Sequence, residues 1–261
     1  MPERDPAIDP TTPGSVIWTR VERAPTGPPP SLSYQRLARA AVDIADAEGL
    51  EALSMRKVAG RLDAGTMSLY RYVRSRHDLI DLMVDHVYGE AVIDARSGDW
   101  RTDLARVARN VRQTALRHPW LAGYATARPT FGPNLLNVIE HALGALDGLG
   151  LDIDRMLDIW LTVNAFVHGY VLAELADQEA QRRSKLTEQQ WRAQMAPYVR
   201  QLVESGRYPM LTRIVIDAED FPDPDQTFER RLGYVLDGLA ATLLPETGRH
   251  PAAKSRPARR Q

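Results

Sequence analysis

Apolar residues recur at three- and four-residue spacing along most of the chain, the period of an amphipathic α-helix. Between residues 31 and 73 the pattern predicts three short helices. Leu37, Ala41, Ile44 and Ala45 line one face of the first, which stops at Gly49. Val58 and Leu62 do so for the second, and Leu69 and Val73 for the third. A fourth helix starts after Ser75, with Asp78 three residues on as an N-terminal cap signal. It runs to about residue 94 through Leu79, Leu82, Met83 and Val87. Longer helical segments follow near 100–117, 119–127, 133–148, 153–176, 187–205 and 225–244. Gly98, Pro119, Gly132-Pro133, Gly150, Gly206, Pro209 and Pro222-Asp223-Pro224 mark many of the joints. Period-2 alternation is not sustained and there is no Asn-Gly hairpin, so strands are not expected. The expected fold class is all-α: a small three-helix head over 31–78, then a helical body over 79–245, without internal repeats.

The ends read differently. Residues 1–30 hold 8 of the 18 prolines, which predicts an extended or disordered arm, with Val16-Ile17-Trp18 as an apolar patch able to dock on the body or on a partner. Residues 246–261 carry five basic residues against Glu246 and predict a disordered basic tail that adds phosphate attraction.

Composition narrows the function class. The chain has no cysteine, which excludes a disulfide framework and any thiolate zinc site. No apolar run approaches the roughly 20 residues of a membrane span, and the N-terminus lacks an apolar signal core. A cytoplasmic protein without membrane contact is expected. The net charge of −1 conceals a split. Residues 54–77 carry Arg56, Lys57, Arg61, Arg71, Arg74 and Arg76 against Asp63 alone, whereas 79–245 carries 17 basic and 23 acidic residues. A short basic segment on an acidic body is a footprint for a polyanion.

That segment also has the spacing of a helix-turn-helix over 54–73. The second and third helices are joined by Asp63-Ala64-Gly65, brief enough for a steep crossing, and either Asp63 or Gly65 tolerates the positive φ it needs. Ser54 and Thr66 are suited to cap the two helices. With Leu69 and Val73 turned to the core, Ser68, Arg71 and Tyr72 are expected on the opposite, DNA-facing side. Arg71 is suited to read a guanine. Arg56 and Lys57 reach the groove edge from the second helix, and Arg74 and Arg76 lie beyond the third, placed for phosphates. Tyr70 is either a phosphate contact through its hydroxyl or a core-edge aromatic.

Ser54-Met55-Arg56-Lys57-Val58-Ala59, Ser68-Leu69-Tyr70-Arg71-Tyr72-Val73 and Asp78-Leu79-Ile80-Asp81-Leu82-Met83 resemble the N-terminal domain of the TetR (tetracycline repressor) family, as does Ala45–Leu50 at the end of the first helix. Arg117-His118-Pro119-Trp120, Arg128-Pro129, Gly132-Pro133-Asn134 and Phe228…Leu236-Asp237-Gly238-Leu239 resemble, more weakly, the C-terminal domain type of the tetracycline repressors. The resemblance implies an all-helical homodimer, paired through a ligand-binding C-terminal domain, that leaves a palindromic double-stranded DNA operator when a small-molecule effector binds. It places Arg56 at a base-reading position. Thr66, Met67 and Ser68 fall on the first turn of the recognition helix, and Tyr70 and Arg76 at phosphate contacts. Asp63 stands where the family has a turn glycine, and Arg71 where it often has a large aromatic residue, which implies a different target sequence. Tyr124 and Ala127 replace the histidine and the hydroxyl residue that help to hold magnesium-tetracycline, so another effector is expected. No cofactor or metal is implied.

Three residue groups are candidates for the effector. Trp160, Asn164 and His168 share a face at i, i+4 and i+8, Asn137 and His141 form an i, i+4 pair, and so do Trp120 and Tyr124. For Asn164 and His168 the alternative is a dimer interface. The rival functions are a ligand-independent regulator or architectural DNA binder, and an enzyme. The last lacks support: there is no Gly-x-Ser-x-Gly elbow, no Gly-rich phosphate loop and no His-Glu-x-x-His.

Overall fold

The computed structural model describes residues 17–21, 32–91, 95–124, 130–217 and 223–243, all in helices or their connections. The expectations for the rest of the arm, for Ala127 and Arg128-Pro129, and for the basic tail lie outside the described residues.

A four-residue helix, α1 (Trp18–Val21), precedes the head. In α2 (Tyr34–Glu48) the predicted face is buried, and the Ser33 hydroxyl caps the first turn by accepting the Arg36 N–H at 3.2 Å. Gly49 ends α2 at φ 85°, a conformation that an L side chain resists. A single 3-10 turn (Leu50–Ala52) leads to α3 (Met55–Arg61), capped by Ser54, which accepts the Lys57 N–H at 3.3 Å. Asp63, not Gly65, takes the left-handed conformation of the turn, with φ 49°. The cap position of α4 (Thr66–Leu69) is Gly65, so Thr66 is the first helical residue rather than its cap, and no side-chain oxygen caps this helix. α4 is also shorter than expected: residues 70–72 form a turn. Ser75 caps α5 (Arg76–Tyr88) through the Asp78 N–H at 3.1 Å. This helix stops at Gly89, short of residue 94.

The body contains α6 (Trp100–Arg117), α7 (Trp120–Tyr124), α8 (Pro133–Leu146), α9 (Ile153–Ser184), α10 (Glu188–Glu204), α11 (Pro209–Asp217) and α12 (Pro224–Leu243). α9 outruns its predicted end because residues 177–184 are polar apart from Ala180 and carry no apolar period. Side-chain pairs such as Gln181 to Asp177 at 2.8 Å continue the helix. No helix is expected at 209–217, nine residues between the joint markers Pro209 and Pro222, yet α11 forms there.

α9 corrects the membrane argument. By length and composition it is apolar enough to cross a bilayer. Its apolar residues instead serve two sides: Met156, Ile159, Trp160, Val163, Val167 and Val171 are buried against the body, while Ile153, Leu157, Leu161 and Leu172 are exposed.

α6, α9 and α12 are tied by a buried charge. Arg112 donates to both Glu174 oxygens at 3.0 and 2.9 Å and to Asp225 at 2.7 Å, with its guanidinium 4.8 Å from the Phe228 ring centre. Such a cation is tolerable only because its donors are paired. Between head and body, α5 runs unbroken through residues 78 and 79, packing on α2 at one side and on α8 at the other.

Candidate DNA-binding head and ligand cavity

The reading surface rests on a small core. Val58, Leu69 and Val73 are fully buried beneath α3 and α4, which fixes the two short helices against each other. Above them Arg56, Arg71 and Arg74 are exposed, Met67 is 78% and Tyr70 43% exposed, and Thr66 and Ser68 are half-buried. Lys57 is exposed but pairs with Glu48 at 2.6 Å, and Arg76 donates to the Leu50 carbonyl at 2.8 Å. Lys57 thereby ties the start of α3 to the end of α2, and Arg76 ties the start of α5 to the 3-10 turn.

Tyr72 departs from the expectation. It faces inward: its hydroxyl donates to the Leu32 carbonyl at 2.8 Å, and its ring meets Tyr34 edge-on at 5.3 Å. The cause is the turn at residues 70–72, which ends the helical rotation that placed Tyr72 beside Arg71.

In the body, Asn137 and His141 line one cavity of about 500 Å³. It is completed by Asn134 and Glu140 from α8, Tyr88 at the end of α5, Gly89 and Ala91 just beyond it, and Arg96. Two buried carboxylates hold its walls. Asp85 accepts the backbone N–H groups of Asn134 at 2.8 Å and Leu135 at 3.0 Å, and the Asn134 amide at 3.0 Å, so it caps α8 from α5. Gly132 allows this approach, since a Cβ there would lie 2.2 Å from the Asp85 carboxylate. Burial raises the Asp85 pKa, against those hydrogen bonds. Asp103 accepts the Ser97 N–H and hydroxyl at 3.0 and 2.9 Å and so fixes the loop carrying Arg96. Burial opposes its charge, but the Ser97 bonds prevail and its pKa is lowered.

The His141 Nε2 is buried without a partner among the described residues. Burial lowers the His141 pKa; Asp103 opposes this, and Arg96 and Arg106 reinforce it. The shift favours the neutral ring, which offers one donor and one acceptor. Asn134 was missed in the sequence, although it sits at i−3 from Asn137 and i−7 from His141 on the same face. Arg96 and Tyr88 come from other segments and gave no local signal.

The remaining candidates do not converge on this cavity. Trp120 is buried and donates to Asp46 of α2 at 2.8 Å, so it joins head to body rather than facing an effector. His118 sits beside it, 2.9 Å from Asp46 and 3.1 Å from Glu90. The Tyr124 hydroxyl pairs with His77 at 2.8 Å, and its pKa is pushed up to about 12 by burial and the nearby Asp81 charge. Trp160 is buried, and Asn164 and His168 are half-buried on α9; burial lowers the His168 pKa. Both lie on the stripe of exposed Leu157, Leu161 and Leu172.

Known proteins resemble the chain over most of its length. Residues 92–243 match the family model of the tetracyclin repressor-like C-terminal domain. The chain is 39% identical to the HTH-type transcriptional repressor DrrR1 of Streptomyces coeruleorubidus, covering 89% of this chain and 86% of that protein. It is 30% identical to the class A tetracycline repressor protein from transposon 1721 of Escherichia coli, over 82% of this chain and 93% of that one. The crystal structure of ActR from Streptomyces coelicolor in complex with actinorhodin superposes with a TM-score of 0.67 at 30% identity, covering 81% of this chain and 98% of ActR. With its exposed basic head and helical body, the chain belongs to the TetR family of helix-turn-helix transcriptional regulators.

Proposed function

We propose that the chain is a homodimeric repressor that leaves a palindromic operator when an oxygen-rich organic molecule enters the cavity between α5 and α8. The observation that carries this is the course of α5. It begins at the exit of the helix-turn-helix, at Arg76, and ends in the cavity wall, at Tyr88. A molecule that prefers one arrangement of α5 biases the head by that difference in affinity and by no more. Neutral His141, Asn134, Asn137 and Arg96 suit hydroxyl and carbonyl groups. ActR, at 30% identity, has been crystallised with actinorhodin, which supports an organic effector here. Magnesium-tetracycline fits poorly, because Tyr124 is engaged with His77.

In this reading Arg56, Met67, Ser68 and Arg71 meet base edges, and Lys57, Thr66, Tyr70, Arg74 and Arg76 meet phosphates. The exposed stripe of α9, with Asn164 and His168 on it, pairs with the partner subunit. The four exposed apolar residues of α9 favour this role over a pocket. Residues 31–78 act as the reading head and 79–245 as the sensing and pairing body.

Selection of bound DNA from a random pool tests the core of the proposal. It should return a palindrome with half-sites about 34–36 Å apart, one helical turn. An unselective pool would refute it and leave an architectural binder. Effector release is tested with actinorhodin and other polyoxygenated aromatics as probes. One of them should raise the melting temperature and weaken operator binding, and His141→Ala with Asn137→Ala should remove both responses. A chain that binds its operator but answers to none is a ligand-independent regulator.

A further inference from the structure

The described part of the proline-rich arm is held against the joint between head and body. Ile17 is 1% and Trp18 8% exposed, and both join the main apolar core. The Trp18 indole N–H donates to the Thr130 carbonyl. Thr130 lies just before Gly132-Pro133, where α8 and the cavity wall begin. Two residues on from Trp18, the Arg20 guanidinium pairs with Asp78, their side chains only 17% and 9% exposed. The same Asp78 oxygen accepts the Arg74 backbone N–H at 3.0 Å, at the exit of the helix-turn-helix. One turn of helix therefore grips the body with one side chain and the head with another.

We propose that α1 is an intramolecular strap: Trp18 and Arg20 fix the reading head to the body and so preorganise it for operator DNA. The proposal rests on the reading of 31–78 as the DNA-binding head. A dimer must present two heads at one spacing, and the swing of each is lost on binding. A strap that removes this freedom beforehand raises affinity without touching DNA. Arg20 is committed to Asp78, so it neutralises no phosphate and releases no counterion. An arm lying along DNA would behave oppositely, because each phosphate contact adds to the salt dependence.

Trp18 and Arg20 are positioning residues, and salt dependence separates their role from direct contact. The test uses the full chain and its selected operator, with affinity read by fluorescence anisotropy over a range of salt concentrations. Arg20→Ala and Trp18→Ala should each weaken binding about fivefold, the cost of ordering a freer head, with the slope of log affinity against log salt unchanged. Trp18→Phe keeps the aromatic bulk, loses only the N–H, and should show a smaller loss in the same direction even if Trp18→Ala folds poorly. Arg20→Lys restores a charge opposite Asp78 and should recover most of the affinity. Amide exchange should quicken at residues 74–78 and 130–136 in both alanine variants. Unchanged operator affinity in the folded variants would overturn the strap and leave α1 as packing alone. A salt slope lowered by about one in Arg20→Ala would also overturn it, by making Arg20 a phosphate contact. Wild-type protein that selects no operator would instead strike the DNA-binding reading on which the strap depends.

Discussion

In the head, the residues proposed to meet DNA stand on helices of seven and four residues, α3 and α4, on the connection after α4 and on the first residue of α5, and most of their side chains are exposed. In the body, Asn134, Asn137 and His141 stand on the 14-residue α8, and the His141 Nε2 is buried. Helices as short as α3 and α4 do not hold themselves in water, where isolated helices below about 12–15 residues are marginal. The head therefore fixes its reading surface from below, with Val58, Leu69 and Val73 and the caps Ser54 and Ser75, and leaves the surface itself open. The body does the reverse. Its polar cavity groups compete with apolar packing, and each wall is held by a buried carboxylate, Asp85 or Asp103. A DNA contact can thus be changed at little cost to folding, whereas a charge inside the body cannot.

The largest expected effect tests the body side of this contrast. Arg112→Ala strands Glu174 in a mostly buried site and should lower unfolding free energy by about 3–5 kcal/mol, read by denaturant titration. A loss under 1 kcal/mol would mean that water reaches Glu174 freely. Next comes the head. Arg71→Ala should cost about 1–3 kcal/mol of discrimination at one base pair, with the melting temperature unchanged. Arg71 is exposed, so a large drop in melting temperature would break the separation of reading from folding. Tyr72→Phe is smaller and opposite in kind. It removes the hydrogen bond to the Leu32 carbonyl and should cost about 1 kcal/mol of stability while operator specificity stays unchanged. Altered specificity would return Tyr72 to the reading face.

The smallest effect is a dependence on pH at the joint. Burial raises the Asp81 pKa from 3.8 to about 6; His77 opposes the shift and Asp78 adds to it. The folded chain then holds this proton more tightly than the unfolded chain. The contribution of Asp81 to stability is complete below 3.8 and is lost as pH rises through about 6. Asp81→Asn should flatten that part of the stability profile relative to wild type. Identical slopes in the two proteins would show that Asp81 keeps an ordinary pKa.

The head was readable because its signals are local. Ser54, Ser75 and Gly49 act on neighbours within four residues, and the positive φ at Asp63 belongs to the turn itself. A local rule fails past the end of its element: the helical rotation that would set Tyr72 beside Arg71 stops at residue 69. Trp120 shows a second kind of failure. An aromatic at helical spacing from Tyr124 gave no hint that Asp46, 74 residues earlier, accepts its N–H.

By itself the sequence determined most of the helices, many of their limits, the basic head, and Asn137 and His141 as one face, because periodicity, caps and charge act over one or two turns. Only the tertiary structure decided what those faces meet. It lined a cavity with Tyr88 and Arg96, turned Tyr72 inward and docked Trp18 at the joint. Each of these depends on segments far apart in the chain, brought together by burial of a shared core that no local window contains.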